Sequence, residues 1–207
     1  SAPGLVRYYE EKAALWEVQA PLKMRPVAGN LELGETFLER VRAVFARPLR
    51  PEDVAGSIEA MRSEAAKPRP LGQGLLDIKN APGGLRDVEF LAQGLQLIHG
   101  RGRPDLLAGN TLEALAALAR AGIVPEETGR ALAQDYVFLR RVEHCLQLYE
   151  DRQTHTVPRE EADLAALARR VLGAEATAAR FMEELEACVV RVRAAYREML
   201  VGGQGEC

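Results

Sequence analysis

The chain has 207 residues, of which 47% are hydrophobic, 28% are charged and 5% are aromatic. This composition excludes a largely disordered chain, and the scarcity of aromatic residues favours helices over a β-sandwich or barrel. Lysine and arginine total 27 against 30 aspartates and glutamates, for a net charge of −3, which argues against a free-standing nucleic-acid-binding domain.

The first third of the chain is expected to form three helices, with basic residues in the turn after the first. Apolar residues at three- and four-residue steps predict helices over 5–19, 31–46 and 51–66. Pro21 should end or kink the first helix, Asn30 should cap the second, and Pro51 suits the first turn of the third. A loop rich in proline and glycine follows at 68–84, with a short extended piece at Asp77-Ile78-Lys79.

Five more helices are expected in the rest of the chain, over 85–99, 111–120, 126–150, 159–172 and 174–200. The first of them has the clearest pattern, because its leucine, valine and isoleucine side chains recur on one face. Thr111 is the expected cap of the next helix, and Pro125 should open the long one. Long helices joined by short connections predict an all-α, antiparallel bundle of about five to six helices.

The loop before the helix at 85–99 is the densest candidate site. Gly83 and Gly84 precede a helix N-terminus, where free N–H groups and the helix dipole can hold an anion. Lys79 and Arg86 would add positive charge there. The alternative is that the two glycines only make the turn, and that Arg86 and Asp87 pair with neighbouring helices.

Other titratable residues point less clearly to a site. Asp87 and Glu89 could hold a metal on a strand, but on a helix they point about 200° apart. The histidines at 99, 144 and 155 lack the spacing of metal ligands. Lys23 and Arg25 follow an amphipathic helix, and they form either a solvated basic turn or a nucleotide contact completed by another domain.

No self-contained catalytic motif is present in the sequence. A serine nucleophile elbow, a phosphate-binding loop and a dinucleotide fingerprint are all missing, and Gly56-Ser57 is not followed by a D-x-D pair. The three cysteines match no zinc spacing and suggest a reducing compartment. No signal peptide or membrane-spanning run is apparent.

An ordered set of short segments resembles the glutamine synthetase adenylyltransferase family. The segments are Tyr8-Tyr9-Glu10, Trp16-Glu17 with Gln19-Ala20, Lys23, Arg25, Val27-Ala28-Gly29, Asp77-Ile78-Lys79, Gly83-Gly84-Leu85-Arg86-Asp87-Val88-Glu89-Phe90, Asn110-Thr111-Leu112, Leu139-Arg140-Arg141-Val142-Glu143-His144 and Gln153-Thr154-His155-Thr156-Val157-Pro158. The segments occur in order, and the resemblance covers roughly residues 7–200. PII uridylyltransferases share a similar helical domain.

The resemblance implies a cytoplasmic bacterial enzyme that regulates nitrogen assimilation. Such an enzyme moves AMP from ATP onto a tyrosine of glutamine synthetase, and its second half removes the AMP by phosphorolysis. In such enzymes glutamine and the PII signalling protein determine whether AMP is added or removed. Its catalytic carboxylates hold Mg²⁺, and they should lie upstream of Ser1. This chain is therefore expected to bind neither ATP nor Mg²⁺ alone and to be inactive as a fragment.

The resemblance also assigns parts to the chain. Residues 1–48 would be the helical end of a nucleotidyltransferase domain, 49–200 the bundle and 201–207 a flexible tail, most similar to the adenylylating half. Lys79 and Arg86 would face the upstream domain, with Lys23 and Arg25 near its nucleotide. Expected partners are that domain, glutamine synthetase and PII, with no nucleic acid or membrane.

Three alternatives remain for the function of the chain. The first is the helical domain of a PII uridylyltransferase, which is also an enzyme. The second is a non-catalytic module that binds PII, and the third is a structural spacer that binds nothing.

Overall fold

The computed structural model describes residues 2–42, 49–65, 76–150 and 155–202. These residues form nine α-helices and no sheet, which confirms the all-α prediction. The helices are α1 (Ala2–Glu11), α2 (Leu15–Gln19), α3 (Leu31–Arg42), α4 (Pro51–Ala65), α5 (Leu85–His99), α6 (Thr111–Arg120), α7 (Glu126–Glu150), α8 (Glu161–Leu172) and α9 (Ala178–Tyr196). None of these helices is long and apolar enough to cross a membrane.

The single helix predicted over 5–19 is wrong, because the chain breaks between α1 and α2. The Glu17 carboxylate accepts hydrogen bonds from the Ala14 N–H at 2.9 Å and from the Tyr8 hydroxyl at 2.5 Å. It thereby satisfies a backbone donor at the start of a new helix and ties that start to α1. After α2, Pro21 lies in a 3₁₀ turn over Ala20–Lys23.

The helix caps are partly as predicted. Asn30 Oδ1 accepts from the Leu33 N–H at 2.9 Å, which confirms the cap of α3. The cap of α6 is Asn110 and not Thr111, because Asn110 Oδ1 accepts from two N–H groups of the first turn. Thr177 caps α9, so this helix begins at 178 and not at 174; its last turn widens into a π-turn over Arg197–Val201.

Helix α5 lies at the centre of the bundle, where it contacts α4, α6, α7 and α9. Its side chains at Val88, Leu91 and Leu95 are buried, as the apolar periodicity predicts. A Cβ atom built at Gly94 would lie 2.7 Å from Leu200 and 2.8 Å from Ile58. This glycine therefore lets two other parts of the core approach the central helix closely.

The predicted extended piece at 77–79 pairs with a second loop in the sequence. Asp77 and Thr156 form an isolated antiparallel bridge. The Ile78 N–H donates to the His155 carbonyl oxygen at 2.9 Å. The predicted domain boundary around 48, the loop at 68–75 and most of the tail lie outside the described residues.

Candidate functional site

The turn that leads into α5 is built by Asp77. Its Oδ1 atom accepts hydrogen bonds from the N–H groups of Lys79 and Asn80, each at 2.9 Å. Its Oδ2 atom accepts from the side-chain Nδ2 of Asn80 at the same distance. An aspartate that bonds the backbone two and three residues further on stabilises a tight turn, so the path of the chain toward Gly83 is fixed locally.

Two glycines complete this turn because no side chain fits there. Gly83 has φ of +84°, and a Cβ atom on it would lie 2.2 Å from the Val189 carbonyl oxygen of α9. A Cβ atom on Gly84 would lie 2.5 Å from the Ile78 carbonyl oxygen. The glycine pair therefore allows close packing of the turn against α9 and against itself.

The N–H groups at the start of α5 all have acceptors inside the chain. The Gly83 N–H donates to Asp87 Oδ2 at 2.7 Å. The next four N–H groups donate to backbone carbonyl oxygens: Gly84 to that of Ala81 (2.9 Å), Leu85 to that of Ile78 (2.9 Å), Arg86 to that of Lys79 (3.1 Å) and Asp87 to that of Gly84 (3.1 Å). An anion at this N-terminus would have to compete with the Asp87 carboxylate for the Gly83 N–H. The backbone of this turn therefore offers a phosphate no free N–H group from Gly83 to Asp87.

Asp87 is the centre of a buried ionic cluster. Its carboxylate lies 2.5 Å from Arg62 Nε of α4 and 3.5 Å from Arg193 Nη1 of α9. Both guanidiniums also lie over the Tyr196 ring, at 5.4 and 5.9 Å from its centroid. Tyr196 Oη in turn donates to Glu59 at 2.6 Å. We call these residues the Asp87 cluster; they join α4, α5 and α9.

Glu89 points to a different side of α5, as the helical spacing predicts. It accepts a hydrogen bond from Tyr136 Oη of α7 at 2.9 Å. Nearby, Lys23 Nζ donates to Thr111 Oγ1 of α6 at 2.9 Å. Burial lowers the pKa of Lys23, and the negative charge of Glu89 opposes that shift. We call Lys23, Glu89, Thr111 and Tyr136 the Glu89 cluster.

The Glu89 cluster ties the N-terminal part of the chain to the bundle. Lys23 precedes the domain boundary that the sequence predicts, whereas Glu89, Thr111 and Tyr136 follow it. A second contact joins the same two parts, four residues before Lys23. Gln19 Nε2 donates to Gln93 Oε1 of α5 in a buried hydrogen bond of 2.5 Å. The two parts therefore pack as one unit.

Lys79 belongs to a third polar group, around the buried carboxylate of Glu143. Lys79 Nζ lies 3.3 Å from Glu143 Oε1, and Arg140 Nη1 lies 2.5 Å from Oε2. His155 Nδ1 lies 3.5 Å from Oε1. Two permanent cations thus share the Glu143 carboxylate, while Asp77 adds a second carboxylate to the turn that carries Lys79.

The structure brings some of the predicted site residues into these groups and leaves others apart. Lys23 is in the Glu89 cluster, and Lys79 is at Glu143. Arg86 is half-buried with its guanidinium 5.7 Å from the centre of the Phe90 ring. Arg25 is exposed. Their predicted contact with a nucleotide or another domain remains a prediction.

Sequence reasoning missed Arg140, Glu143 and Tyr136 as members of the site. Arg140 and Glu143 are three residues apart on α7, a spacing that places a basic and an acidic side chain side by side. That spacing is a readable signal for the pair. Nothing in the sequence placed Lys79 next to it, because the contact joins residues 64 positions apart.

A magnesium site does not fit the described residues. Among them, no group of three or more histidine, cysteine, aspartate or glutamate side chains could hold a metal ion. Asp87 and Glu89, the nearest approach to such a set, are engaged by different partners. No reaction step through a metal is therefore assigned to this part of the chain.

Residues 58–200 match the family described as GlnD PII-uridylyltransferase. The chain is also similar to curated proteins named bifunctional glutamine synthetase adenylyltransferase/adenylyl-removing enzyme. Identity is 43% to that of Streptomyces coelicolor, covering 79% of this chain and 16% of the relative. Identity is 36% to the protein of Xanthomonas axonopodis pv. citri, over 97% of this chain and 21% of that relative. It is 39% to the protein of Mycobacterium tuberculosis, over 90% of this chain and 19% of that relative. The chain thus spans 16–21% of the length of these relatives.

Proposed function

The chain belongs to the family described as GlnD PII-uridylyltransferase, and from this premise we propose that it forms the helical domain of a glutamine synthetase adenylyltransferase. The full-length enzyme would transfer AMP from ATP to a tyrosine of glutamine synthetase and would reverse this reaction in its other half. The names of the relatives over nearly the whole chain support this choice.

The role of this domain would be to hold a nucleotidyltransferase domain in a fixed position. The observation that carries this proposal is the Glu89 cluster, in which Lys23 is bonded to Thr111 across the predicted domain boundary. An upstream domain continuous with residues 2–42 would then be held rigidly against α5, α6 and α7. In phosphoryl and nucleotidyl transfer, positioning and charge neutralisation supply most of the rate.

The contact surface would lie beside the start of α5. Lys79 and Arg86 would face the upstream domain, and Lys23 and Arg25 would lie on the nucleotide side. The cations of Lys79, Arg86 and Arg140 support this placement, because they outnumber the carboxylates of Asp77 and Glu143 and would favour an acidic or phosphate-bearing neighbour. The upstream domain would bring its own carboxylates, with ATP and Mg²⁺.

Glutamine synthetase and the PII protein would be the partners of the full-length enzyme, and the cytoplasm its compartment. A second candidate is the helical domain of a PII uridylyltransferase, which the description of the matching family favours. The two are separated by supplying the full-length protein with ATP and glutamine synthetase, or with UTP and PII, and measuring which protein is labelled.

The contact surface is tested with Arg86→Ala in the full-length enzyme. We expect the rate of AMP transfer to fall about tenfold or more, a change of about 1.4 kcal/mol in the barrier. The free energy of unfolding should change by less than about 1 kcal/mol, because the residue is half-buried. Arg180→Ala is the matched control, since Arg180 is an exposed arginine on α9 paired with Glu184, and it should leave the rate unchanged.

Two outcomes would contradict the proposal. If Arg86→Ala lowers stability and activity in step, Arg86 is a structural residue. If residues 1–207 alone label glutamine synthetase with ATP and Mg²⁺, the catalytic groups lie within this chain and the role of a positioning domain is wrong.

A further inference from the structure

Helix α7 carries a second stripe of residues besides the one that faces the core. The inward stripe includes Leu132, Leu139, Val142 and Leu146, all of which are buried. The second stripe steps by four and three residues in alternation, through Arg130, Gln134, Val137, Arg141, His144 and Leu148. Residues at these steps lie along one line of a helix, which is the spacing by which two helices pack side by side.

This second stripe is open to solvent although it contains large apolar side chains. Val137 is 44% exposed and Leu148 is 79% exposed. Beside Val137 lies an open groove of about 520 Å³, whose apolar lining includes Ala133 and Phe138 of α7 and Leu112 of α6.

The charge around this groove is positive. Arg130 and Arg141 line it, and among the described residues its lining contains no carboxylate. Arg130 is paired with Glu126, but Arg141 donates to the carbonyl oxygen of Val171, a neutral partner that leaves its charge in place. Arg170 and Arg141 also lie close enough to Cys145 to oppose the rise in the pKa of its thiol that burial causes.

We propose that the outward face of α7 is a docking surface for an acidic amphipathic helix of a partner protein. Leucine-like side chains of that helix would enter the groove at Val137 and pack over Leu148. Its carboxylates would lie against Arg141 and His144. Val137 and Leu148 lie about three turns apart on one face of α7, which suits a partner helix laid along it. The charge of Arg141, which no carboxylate in the groove compensates, sets the sign of the partner's charge. This inference does not depend on the proposed function.

The docking surface is tested with a synthetic peptide of about three heptads, with leucine at the two core positions and glutamate at the flanking ones. We expect fluorescence anisotropy to show binding to the 207-residue chain with a dissociation constant on the order of micromolar, weakened by added salt. Val137→Glu should weaken binding by about tenfold or more, and Arg141→Glu should do the same. Val190→Glu is the matched control, because Val190 is a 67% exposed valine on α9, and it should bind as the parent chain does.

Several results would overturn the inference. Absence of binding to the glutamate peptide would do so, as would equal binding of a peptide with lysine in place of glutamate. Equal binding by Val137→Glu would place the peptide elsewhere on the chain. A dimer of the chain itself, seen by sedimentation and lost in Val137→Glu, would make a second copy the occupant in place of an acidic partner. Circular dichroism of each variant checks that it is folded.

Discussion

Asp87 and Glu89 stand two residues apart on α5, yet Asp87 faces α4 and α9 whereas Glu89 faces α6 and α7. The two sides use similar groups. On the first side the Tyr196 hydroxyl donates to Glu59 at 2.6 Å, and on the second the Tyr136 hydroxyl donates to Glu89 at 2.9 Å. They differ in solvent exposure, since Asp87 and Tyr196 are buried and Glu89 and Tyr136 are half-buried.

Because they differ in exposure, the two clusters have different roles in the structure. A buried carboxylate must be paired, and removing one member of such a pair leaves an uncompensated charge in the core. The Asp87 cluster therefore fixes how α4, α5 and α9 pack. A half-buried cluster costs less to change and remains accessible to another domain. The Glu89 cluster is thus the better place to alter function while keeping the fold.

The largest expected effect is that of removing the charge of Asp87. Asp87→Asn leaves Arg62 and Arg193 without their shared carboxylate, so we expect the free energy of unfolding to fall by about 3–5 kcal/mol. Glu89→Gln makes the same chemical change on the other side, and we expect a loss below about 1 kcal/mol. Urea denaturation of both variants measures the difference. Equal losses would show that burial does not separate the two clusters.

A second comparison isolates the contact between the turn and α9. Gly83→Ala imposes both a strained positive φ and a clash with the Val189 carbonyl oxygen. We expect it to cost about 3 kcal/mol or more. Gly122→Ala shares the positive φ, at +72°, but a Cβ atom there meets nothing within 4 Å, so we expect only about 1 kcal/mol. Equal costs, measured by thermal unfolding with circular dichroism, would mean that α9 yields to the added methyl group.

Helices α5, α6 and α7 have the predicted bounds, over 15, 10 and 25 residues, because each combines an apolar stripe with a start or stop residue that the sequence shows. Helix α9 has an apolar stripe over 19 residues but begins at Ala178, four residues later than predicted. The N-terminal helix was predicted without a break because the apolar steps continue through Ala13 and Leu15. The Glu17 carboxylate accepts instead from the Ala14 N–H and the Tyr8 hydroxyl, and apolar periodicity does not register such side-chain bonds.

The candidate site was predictable in position but not in chemistry. Two glycines before an apolar helix indicate a tight turn at a helix N-terminus, and the turn is there. The sequence did not show that the Gly83 N–H has an acceptor, since that bond depends on the orientation of the Asp87 side chain. That orientation is fixed by Arg62 and Arg193, which are 25 and 106 residues away in sequence.

The smallest expected effect is a difference between Tyr196 and Tyr136 in how the free energy of unfolding depends on pH in alkaline solution. Burial raises the pKa of Tyr196, with a further rise from its hydrogen bond to Glu59, and burial and Glu89 raise the pKa of Tyr136. The folded chain therefore keeps protons that the unfolded chain releases near pH 10. This stabilisation is complete below about pH 10 and is lost as the pH rises toward the raised pKa, at about 1.4 kcal/mol per pH unit for each tyrosine.

Tyr196→Phe should remove one such slope from the pH dependence of unfolding above pH 10. Tyr136→Phe should remove a slope that ends at lower pH, because Tyr136 is half-buried whereas Tyr196 is fully buried. Tyr8 and Tyr9, whose pKa values are also raised, are present in both variants and cancel in the comparison. If the two variants give the same pH profile, the two sides of α5 do not differ in their burial of a tyrosine proton.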